Sequence, residues 1–476
     1  AGLGHSGRLC LRPERCQSLW TQPAPRAKVA RRNGRTLRMT LLISFAALFV
    51  SVFLLQLGLG GVVPLDALSG TALGFTAEQI GTMGSAHFLG FFVGCWWAPR
   101  LMGTVGHSRA FAAFTAAGTT GILAHMMWTD PWAWAGMRML SGLAVAGCYT
   151  IIEAWLQSKV TNETRGRAMG VYRMVDVSGN LGAQVLIAFL PPAAYASYNL
   201  LALFMCFAIF PLLLTRSEAP AAGAAPRLRP KLAWDKSPLG AVGVVVSGIT
   251  GAAFRMVGPL YGIAVGLEAD RIALFLSAYV LGGAFAQFPV GWIADKYDRR
   301  MVLIWISVGS ILGCLAMMVG AYGNVLTVFL AAGFFGFTTF PIYSISTAHA
   351  HDFAEQHERV ELSAAQMFLY AVGAIASPVI ASALISGYGP ASMFVFIALA
   401  HVLLILFGLV RMRIGRTPRQ HTPYVYTPRT SFLIGRLLRR RDGPGRVPAC
   451  EIMVANHAIK NLIRENKMHQ ANAVME

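Results

Sequence analysis

The stretch GWIADKYDRR at residues 291–300 places charged residues directly after a long apolar run. A weaker copy lies 197 residues earlier, where GCWWAPR at residues 94–100 is followed by GHSR at residues 106–109. In both copies a glycine near the end of an apolar run precedes a basic loop. The pattern predicts an internal repeat that divides the chain into two similar halves.

The composition around these loops is that of a membrane protein. The 476-residue chain is 55% hydrophobic and only 13% charged, with a mean hydropathy of +0.55. Soluble domains carry roughly 25% charged residues, so the composition excludes an ordinary cytosolic enzyme, a disordered chain and a fibrous repeat. Apolar runs of about 20 residues match the bilayer core. The predicted fold class is an all-α polytopic membrane protein.

The net charge of +19 is concentrated in the two ends of the chain. Residues 1–38 carry +8 and residues 411–476 carry +9, which leaves +2 on the intervening body. A basic excess confined to tails does not indicate a nucleic-acid partner. The seven cysteines form no C-x-x-C motif, so neither a disulfide framework nor a metal site is predicted, and we expect no cofactor.

Twelve membrane-spanning helices are predicted from the apolar runs. Basic residues cluster in alternate loops, which places those loops and both termini in the cytoplasm. The Pro- and Ala-rich stretch 216–238 separates spans six and seven and is interpreted as a cytoplasmic linker. The predicted organisation is a basic tail (1–38), a six-helix half (39–215), the linker (216–238), a second six-helix half (239–412) and a second basic tail (413–476). The spans lie near 40–63, 80–98, 110–128, 132–157, 167–190, 197–215, 239–263, 272–294, 301–321, 325–348, 361–386 and 391–410.

The loop at 291–300 resembles the motif glycine–x–x–x–Asp–Arg/Lys–x–glycine–Arg–Arg/Lys of the major facilitator superfamily. It departs from that motif at Asp298, where the family usually has glycine, and the first copy has Ala98 in place of the Asp. The sequence Arg138-x-x-Ser141-Gly142 resembles the family's Arg motif in the fourth helix. The motif Tyr149-x-x-x-Glu153-x-Trp155-Leu156, with Arg165-Gly166-Arg167 downstream, resembles a bacterial branch with poorly defined substrates.

This resemblance implies a secondary transporter in the bacterial inner membrane that moves a small organic solute by alternating access. It implies a monomer in a lipid bilayer, driven by protons or another coupling ion. A membrane-embedded enzyme and a non-transporting sensor on the same fold are the alternatives.

The loop motif is interpreted as a gate. The resemblance implies that its residues latch neighbouring helices in one state and release them in the other. The alternative is a set of charges that only fix topology. The motif residues are Gly291, Asp295, Lys296, Arg299 and Arg300.

Charges inside spans are rare and usually face a cavity or each other. Spans four and five contain Arg138, Glu153, Arg173 and Asp176. A rise of ~1.5 Å per residue brings Glu153 to the depth of Arg173 and Asp176 within reach of Arg138. The predicted pairs are therefore Glu153–Arg173 and Arg138–Asp176, which either titrate during transport, with Asp176 as the preferred proton site, or hold the two helices together.

In the second half, Arg255 is the intramembrane charge farthest from the helix ends. It is predicted either to bind an anionic or carboxylated solute or to snorkel toward the outer surface. Other polar groups are predicted either to line the cavity or to form hydrogen bonds between helices. They are Gln56, His87, Asn180, Gln184, Tyr261, Gln287, Tyr343, Gln366 and Tyr370.

Two further features are weak signals. The cluster His349-x-His351-Asp352, with His357, lacks the spacing of a four-ligand metal site. Residues 443–476 resemble the helical tail of type IV pilus retraction ATPases, but the chain contains no phosphate-binding G-x-x-x-x-G-K-[ST] loop. The tail is interpreted as a fusion artefact or as a cytoplasmic docking helix, and no ATPase activity is predicted.

Overall fold

The computed structural model describes residues 28–159, 165–214, 229–320, 323–355 and 358–414, and all regular secondary structure in these ranges is helical. The resemblance of residues 443–476 to a pilus ATPase therefore lies outside the described residues, as does His357. The fifteen helices are α1 (Lys28–Ala72), α2 (Ala77–Val105), α3 (His107–Ala124), α4 (Pro131–Lys159), α5 (Arg165–Ile187), α6 (Tyr195–Phe207), α7 (Ile209–Leu214), α8 (Pro230–Lys236), α9 (Pro238–Ala264), α10 (Ala269–Lys296), α11 (Arg299–Gly320), α12 (Val325–Thr339), α13 (Pro341–His351), α14 (Arg359–Tyr388) and α15 (Ser392–Ile414).

Each predicted span falls on one helix or on two successive helices. Span six corresponds to α6 and α7, and span ten to α12 and α13, where Pro341 interrupts the backbone hydrogen-bonding pattern. Within the described ranges, nine of these helical segments are long and apolar enough to cross a membrane. Among the helices on which a predicted span falls, α2, α3 and α5 do not belong to these nine segments. Helix α5 carries charged and amide side chains that lower its hydropathy, so the count of twelve spans stays a prediction.

Helix α1 is longer than the sequence suggested. It continues through Pro64 to Ala72, beyond the predicted end at residue 63. Proline inside a membrane helix is tolerated when neighbouring helices cover the freed backbone group. The extension brings Asp66 into the helix, where only 3% of its surface is exposed.

The segment predicted as a linker is partly helical. Helix α8 occupies Pro230–Lys236, immediately before α9. Lys236 Nζ lies 2.6 Å from Glu358 Oε2, and Arg229 Nη1 lies 3.2 Å from Glu361 Oε2. These ion pairs tie α8 to the beginning of α14.

Glycines allow the central helices to pack closely. A Cβ atom on Gly142 of α4 would collide with the backbone carbonyl of His87 in α2. A Cβ on Gly248 of α9 would collide in the same way with the carbonyl of Tyr370 in α14. Small residues at helix contacts let backbones approach and are common in membrane helix pairs. The pairs α2–α4 and α9–α14 therefore surround the centre of the molecule.

Helix α2 also packs along α14, from Gly81 beside Ser382 to Phe92 beside Phe368, whose ring centroids lie 5.5 Å apart. A Cβ on Gly81 would overlap the side chain of Ser382, and one on Gly84 would lie 3.0 Å from the Cβ of Pro378. The charged loop between α10 and α11 lies at the opposite end of α10 from the connection to α9. The contact between α2 and α14 thus extends over several helical turns.

Candidate functional site

A cavity of about 200 Å³ lies at the centre of the bundle. It is lined by α1, α2, α4 and α5 on one side and by α9, α10 and α14 on the other, together with Phe340 between α12 and α13. Its lining combines aromatic rings with a few polar and charged groups. The candidate residues that line it are Gln56, His87, Arg173, Asp176, Asn180, Gln184, Arg255 and Tyr370.

Asp176, which lines the cavity, accepts hydrogen bonds from three side chains. Arg173 Nη1 donates to Asp176 Oδ2 at 2.8 Å, an ion pair between residues three apart in α5. Gln56 Nε2 and Tyr149 Oη donate to Asp176 Oδ1 at 2.6 Å and 2.8 Å. These contacts from α1, α4 and α5 hold the carboxylate at the cavity wall, where 14% of its side chain remains exposed.

Arg138 does not pair with Asp176, so that predicted pair is wrong. Its Nε atom lies 3.4 Å from Asp66 Oδ2 instead, with both side chains at least 96% buried. The depth estimate brought Arg138 and Asp176 to one level but did not fix the direction in which each side chain leaves its helix. Arg138 turns toward α1, and its Nη2 atom lies 3.9 Å from Met256 Sδ of α9.

The residue that sequence reasoning missed is Asp66. Besides Arg138, its carboxylate contacts His125 Nε2 at 3.4 Å and accepts a hydrogen bond from Tyr198 Oη at 2.9 Å. His125 and Tyr198 stack with ring centroids 5.1 Å apart, and Trp134 Nε1 donates to the His125 carbonyl at 2.7 Å. In the sequence Asp66 closely follows Pro64, so it looked like a charge beyond the end of the first span. It is nevertheless a buried acidic residue of α1, and it is the partner that Arg138 needs.

Glu153 is buried and is not among the described residues that line the cavity. Tyr172 Oη donates to Glu153 Oε1 at 3.3 Å, and only 2% of Glu153 is exposed. The described ion pair of Arg173 is with Asp176. The pairing of Glu153 with Arg173 stays a prediction.

Arg255 faces the cavity. Its neighbours from Gly251 to Phe254 and from Met256 to Gly262 are buried, whereas Arg255 is exposed and lines the cavity. Within the described ranges, no acidic oxygen lies within ion-pair distance of its guanidinium.

Four other candidates lie outside the cavity lining. Gln287 Nε2 donates to the Gly283 carbonyl at 3.3 Å. Tyr343 packs edge-on against Tyr370 with centroids 5.4 Å apart. Gln366 is fully buried, and neither of its amide atoms has a hydrogen-bond partner in the described part of the chain. Tyr261 donates to the Met317 carbonyl at 2.7 Å.

The loop motif is built around Arg299, whose side chain is fully buried. Its guanidinium contacts Asp352 Oδ1 at 2.8 Å and Asp295 Oδ1 at 3.2 Å, and it donates to the Ala348 carbonyl at 3.1 Å. Arg299 thereby joins the end of α10, the beginning of α11 and the end of α13. Cations are favourable at helix C-termini, and Ala348 lies in the last turn of α13, with Asp352 directly after its end.

Asp298, at the position where the family motif has glycine, caps α11. Its carboxylate accepts hydrogen bonds from the Arg300 backbone at 2.9 Å and from Arg300 Nη2 at 2.7 Å. Partial burial opposes ionisation, but these hydrogen bonds outweigh it and hold the pKa of Asp298 below its usual value. Lys296 lies over the Trp292 ring, 3.8 Å from its centroid.

The first copy of the motif is arranged differently. Arg100 lies over the Trp96 ring, 4.1 Å from its centroid, rather than forming a described ion pair. Gly106 has a φ of +85° and lies between α2 and α3, and His107 packs against Trp155 of α4 with centroids 6.2 Å apart. An aromatic contact between α3 and α4 thus occupies the place that ion pairs occupy in the second copy.

The described helices form a bundle around a central cavity, and nine helical segments are long and apolar enough to cross a membrane. A family model described as "Major Facilitator Superfamily" matches residues 240–443. An uncharacterized MFS-type transporter of Enterobacter sp. (strain 638) is 27% identical over 346 residues, covering 72% of this chain and 89% of the relative. One from Yersinia pseudotuberculosis serotype O:3 (strain YPIII) is 29% identical over 359 residues, covering 73% and 88%.

Solved structures of transporters share the fold. The nucleoside transporter NupG, in a mutant form, superposes with a TM-score of 0.67 at 13% identity, covering 77% of this chain and 99% of that one. A bacterial homologue of the human lysosomal transporter Spinster, inward-facing and unoccupied, gives a TM-score of 0.60 at 13% identity, covering 85% and 99%.

The second half of the chain therefore matches the Major Facilitator Superfamily, and about 72% of the chain is similar to uncharacterized MFS-type transporters of bacteria. The family consists of transporters rather than enzymes. These comparisons give no support to the resemblance of residues 443–476 to a pilus ATPase.

Proposed function

We propose that the chain is a proton-coupled secondary transporter that moves a small organic solute across the bacterial inner membrane by alternating access. The observation that carries this proposal is the cavity, which has charged groups on both of its walls. Helices α1–α7 form one six-helix half and α9–α15 the other, with α8 in the cytoplasmic linker and both termini in the cytoplasm. This arrangement of twelve spans follows from the alternation of basic loops.

The close contact between α2 and α14 at Gly81 and Ser382 lies on the outer side of this topology. The charged loop between α10 and α11 lies on the cytoplasmic side. The contact continues inward along both helices to Phe92 and Phe368, whose ring centroids lie 5.5 Å apart. Because α2 and α14 belong to different halves, rocking of the two halves along this contact would expose the cavity first to one side and then to the other.

We propose Asp176 as the coupling carboxylate. It is the described acidic residue that lines the cavity, and its partners come from three helices. Protonation would remove the charge that Arg173 binds, so solute binding and proton binding can compete for the same donors. Asp66 is sealed by its partners, with 3% of its surface exposed, and has no comparable access.

The test is solute uptake into proteoliposomes with and without a pH gradient. Wild-type protein should concentrate a transported solute when the gradient is present. Asp176→Asn should retain solute exchange but lose accumulation against a gradient, because exchange needs the binding site and not net proton movement. Asp270→Asn, at an exposed site in the first turn of α10, is the matched control.

Two results would contradict the proposal. Accumulation by Asp176→Asn at the wild-type level would remove Asp176 from coupling. Failure of the wild-type protein to exchange any of a broad solute panel, while still binding one of them, would favour the non-transporting sensor.

A further inference from the structure

We infer that the cavity binds an organic monoanion with a compact apolar body, and that Arg255 is the residue that binds its anionic group. This inference names the substrate class of the proposed transport site and rests on that proposed function. It follows from the position of Arg255, the charge balance of the cavity and the nature of its walls.

The position of Arg255 excludes snorkelling. Helix α9 is buried on all sides from Gly251 to Gly262 except at Arg255. A side chain that reached lipid or the outer surface would have to leave by a face that is covered by other helices. The exposed surface of Arg255 is therefore the surface that lines the cavity.

The charges of the cavity do not balance. Three charged residues of the described ranges line it, and two of these, Arg173 and Asp176, form an ion pair at 2.8 Å. Arg255 has no ion-pair partner within the described ranges, so its positive charge is uncompensated. A charge without a partner inside a membrane protein is costly, and an anionic ligand would remove that cost. A guanidinium also presents paired donors that match a carboxylate.

The other residues that line the cavity indicate the chemical nature of the rest of the ligand. Aromatic rings from both sides line the same cavity as Arg255, among them Phe88, Phe254 and Tyr279. Across the cavity, Gln184 is 95% buried and its Oε1 atom has no hydrogen-bond partner among the described residues. A ligand with one anionic end, a body the size of an aromatic ring and a polar group opposite the anion would satisfy these walls.

The experiment compares isosteric probes on the purified full-length chain in detergent. 3-Phenylpropanoate, 3-phenylpropanamide and 3-phenylpropylamine differ in charge and little in shape. Binding is followed by the concentration dependence of the unfolding temperature, because a ligand that binds only the folded state raises it. The anion should raise this temperature at concentrations at least tenfold lower than the amide, and the amine should give no shift.

Arg255→Gln separates this role from a structural one. It should weaken binding of the anion at least tenfold, so that the anion and the amide bind with similar affinity. Without ligand it should unfold at or above the wild-type temperature, because an uncompensated charge has been removed. Arg255→Lys should retain the preference for the anion with weaker binding. Arg271→Gln, on the exposed outer end of α10, is the control and should behave as wild type.

The outcomes distinguish the inference from the proposed function. Equal shifts by the anion and the amide in wild type, or an unchanged anion shift in Arg255→Gln, overturn the inference. If Arg255→Gln leaves the flux of a transported solute intact, anion recognition is refuted while transport stands. If the anion binds in an Arg255-dependent way but does not cross proteoliposome membranes, the inference stands and transport fails.

Discussion

The buried pair of Asp66 and Arg138 makes the sharpest prediction about stability. Both side chains are at least 96% buried and their charged atoms lie 3.4 Å apart. Removing one member of a buried pair leaves the other charge without compensation, which costs about 3–5 kcal/mol. Asp66→Asn and Arg138→Met should each destabilise the folded protein by that amount, since both replacements keep roughly the original volume.

The double variant should be much less affected than the two single variants added together. With both charges removed, no uncompensated ion remains, and buried pairs replaced by uncharged groups are often neutral or only slightly destabilising. Tyr198 can still donate to the side-chain carbonyl of an asparagine at position 66. We expect the double variant to lose no more than about 3 kcal/mol, a coupling of several kcal/mol between the sites.

The assay is reversible unfolding in mixed detergent and SDS, followed by tryptophan fluorescence. Trp134 lies beside the cluster, with its ring centroid 5.0 Å from that of His125, and reports its local packing. Asp270→Asn, which removes an exposed carboxylate, should change the free energy of unfolding by less than ~0.5 kcal/mol. Additive losses in the double variant, or a loss below about 1 kcal/mol in Asp66→Asn, would refute the claim that a charge pair stabilises this region.

Three further predictions concern the loop motif and the helix contacts. Asp298 has a lowered pKa, so its contribution to stability is present above about pH 4 and is lost as the pH falls through the folded-state pKa. Between pH 7 and pH 3, the unfolding temperature of Asp298→Asn should therefore fall less than that of the wild-type protein. Arg299→Lys should lower the unfolding temperature nearly as much as Arg299→Gln, because one ammonium cannot reach all the oxygens that the buried guanidinium contacts, and equal stability of wild type and the Lys variant would contradict this. Gly142→Ala should lower the unfolding temperature by several degrees because its methyl group has no space, whereas Gly136→Ala on the same helix meets open space and should be neutral or stabilising; identical behaviour of the two variants would count against close packing of α2 and α4.

The sequence predicted the general fold because hydrophobic length and charge position are nearly sufficient to identify membrane helices. The loop motif added the resemblance to a family, and the positions of the predicted spans agree with the helices. The error at α1 has a simple cause. Pro64 and Asp66 look like the end of a span in a hydropathy plot, and only tertiary contacts show that the helix continues.

Side-chain pairing was harder to predict than helix position. Counting residues gives depth along a helix but not the direction of a side chain relative to its neighbours. Arg138 was therefore assigned to Asp176 when it contacts Asp66. The pair of Arg173 and Asp176 was within reach of the sequence, since residues three apart lie on one helix face.

The three arginines of the central helices have different surroundings, and these predict different phenotypes. Arg138 is sealed against Asp66, so its loss should reduce the amount of folded protein. Arg173 is paired with Asp176 at the cavity surface, where a solute or proton can change the pair, so its loss should alter coupling. Arg255 faces the cavity with no ion-pair partner in the described part of the chain, so its loss should alter which solutes bind. Burial and pairing together, rather than charge alone, therefore separate a structural arginine from those available for function.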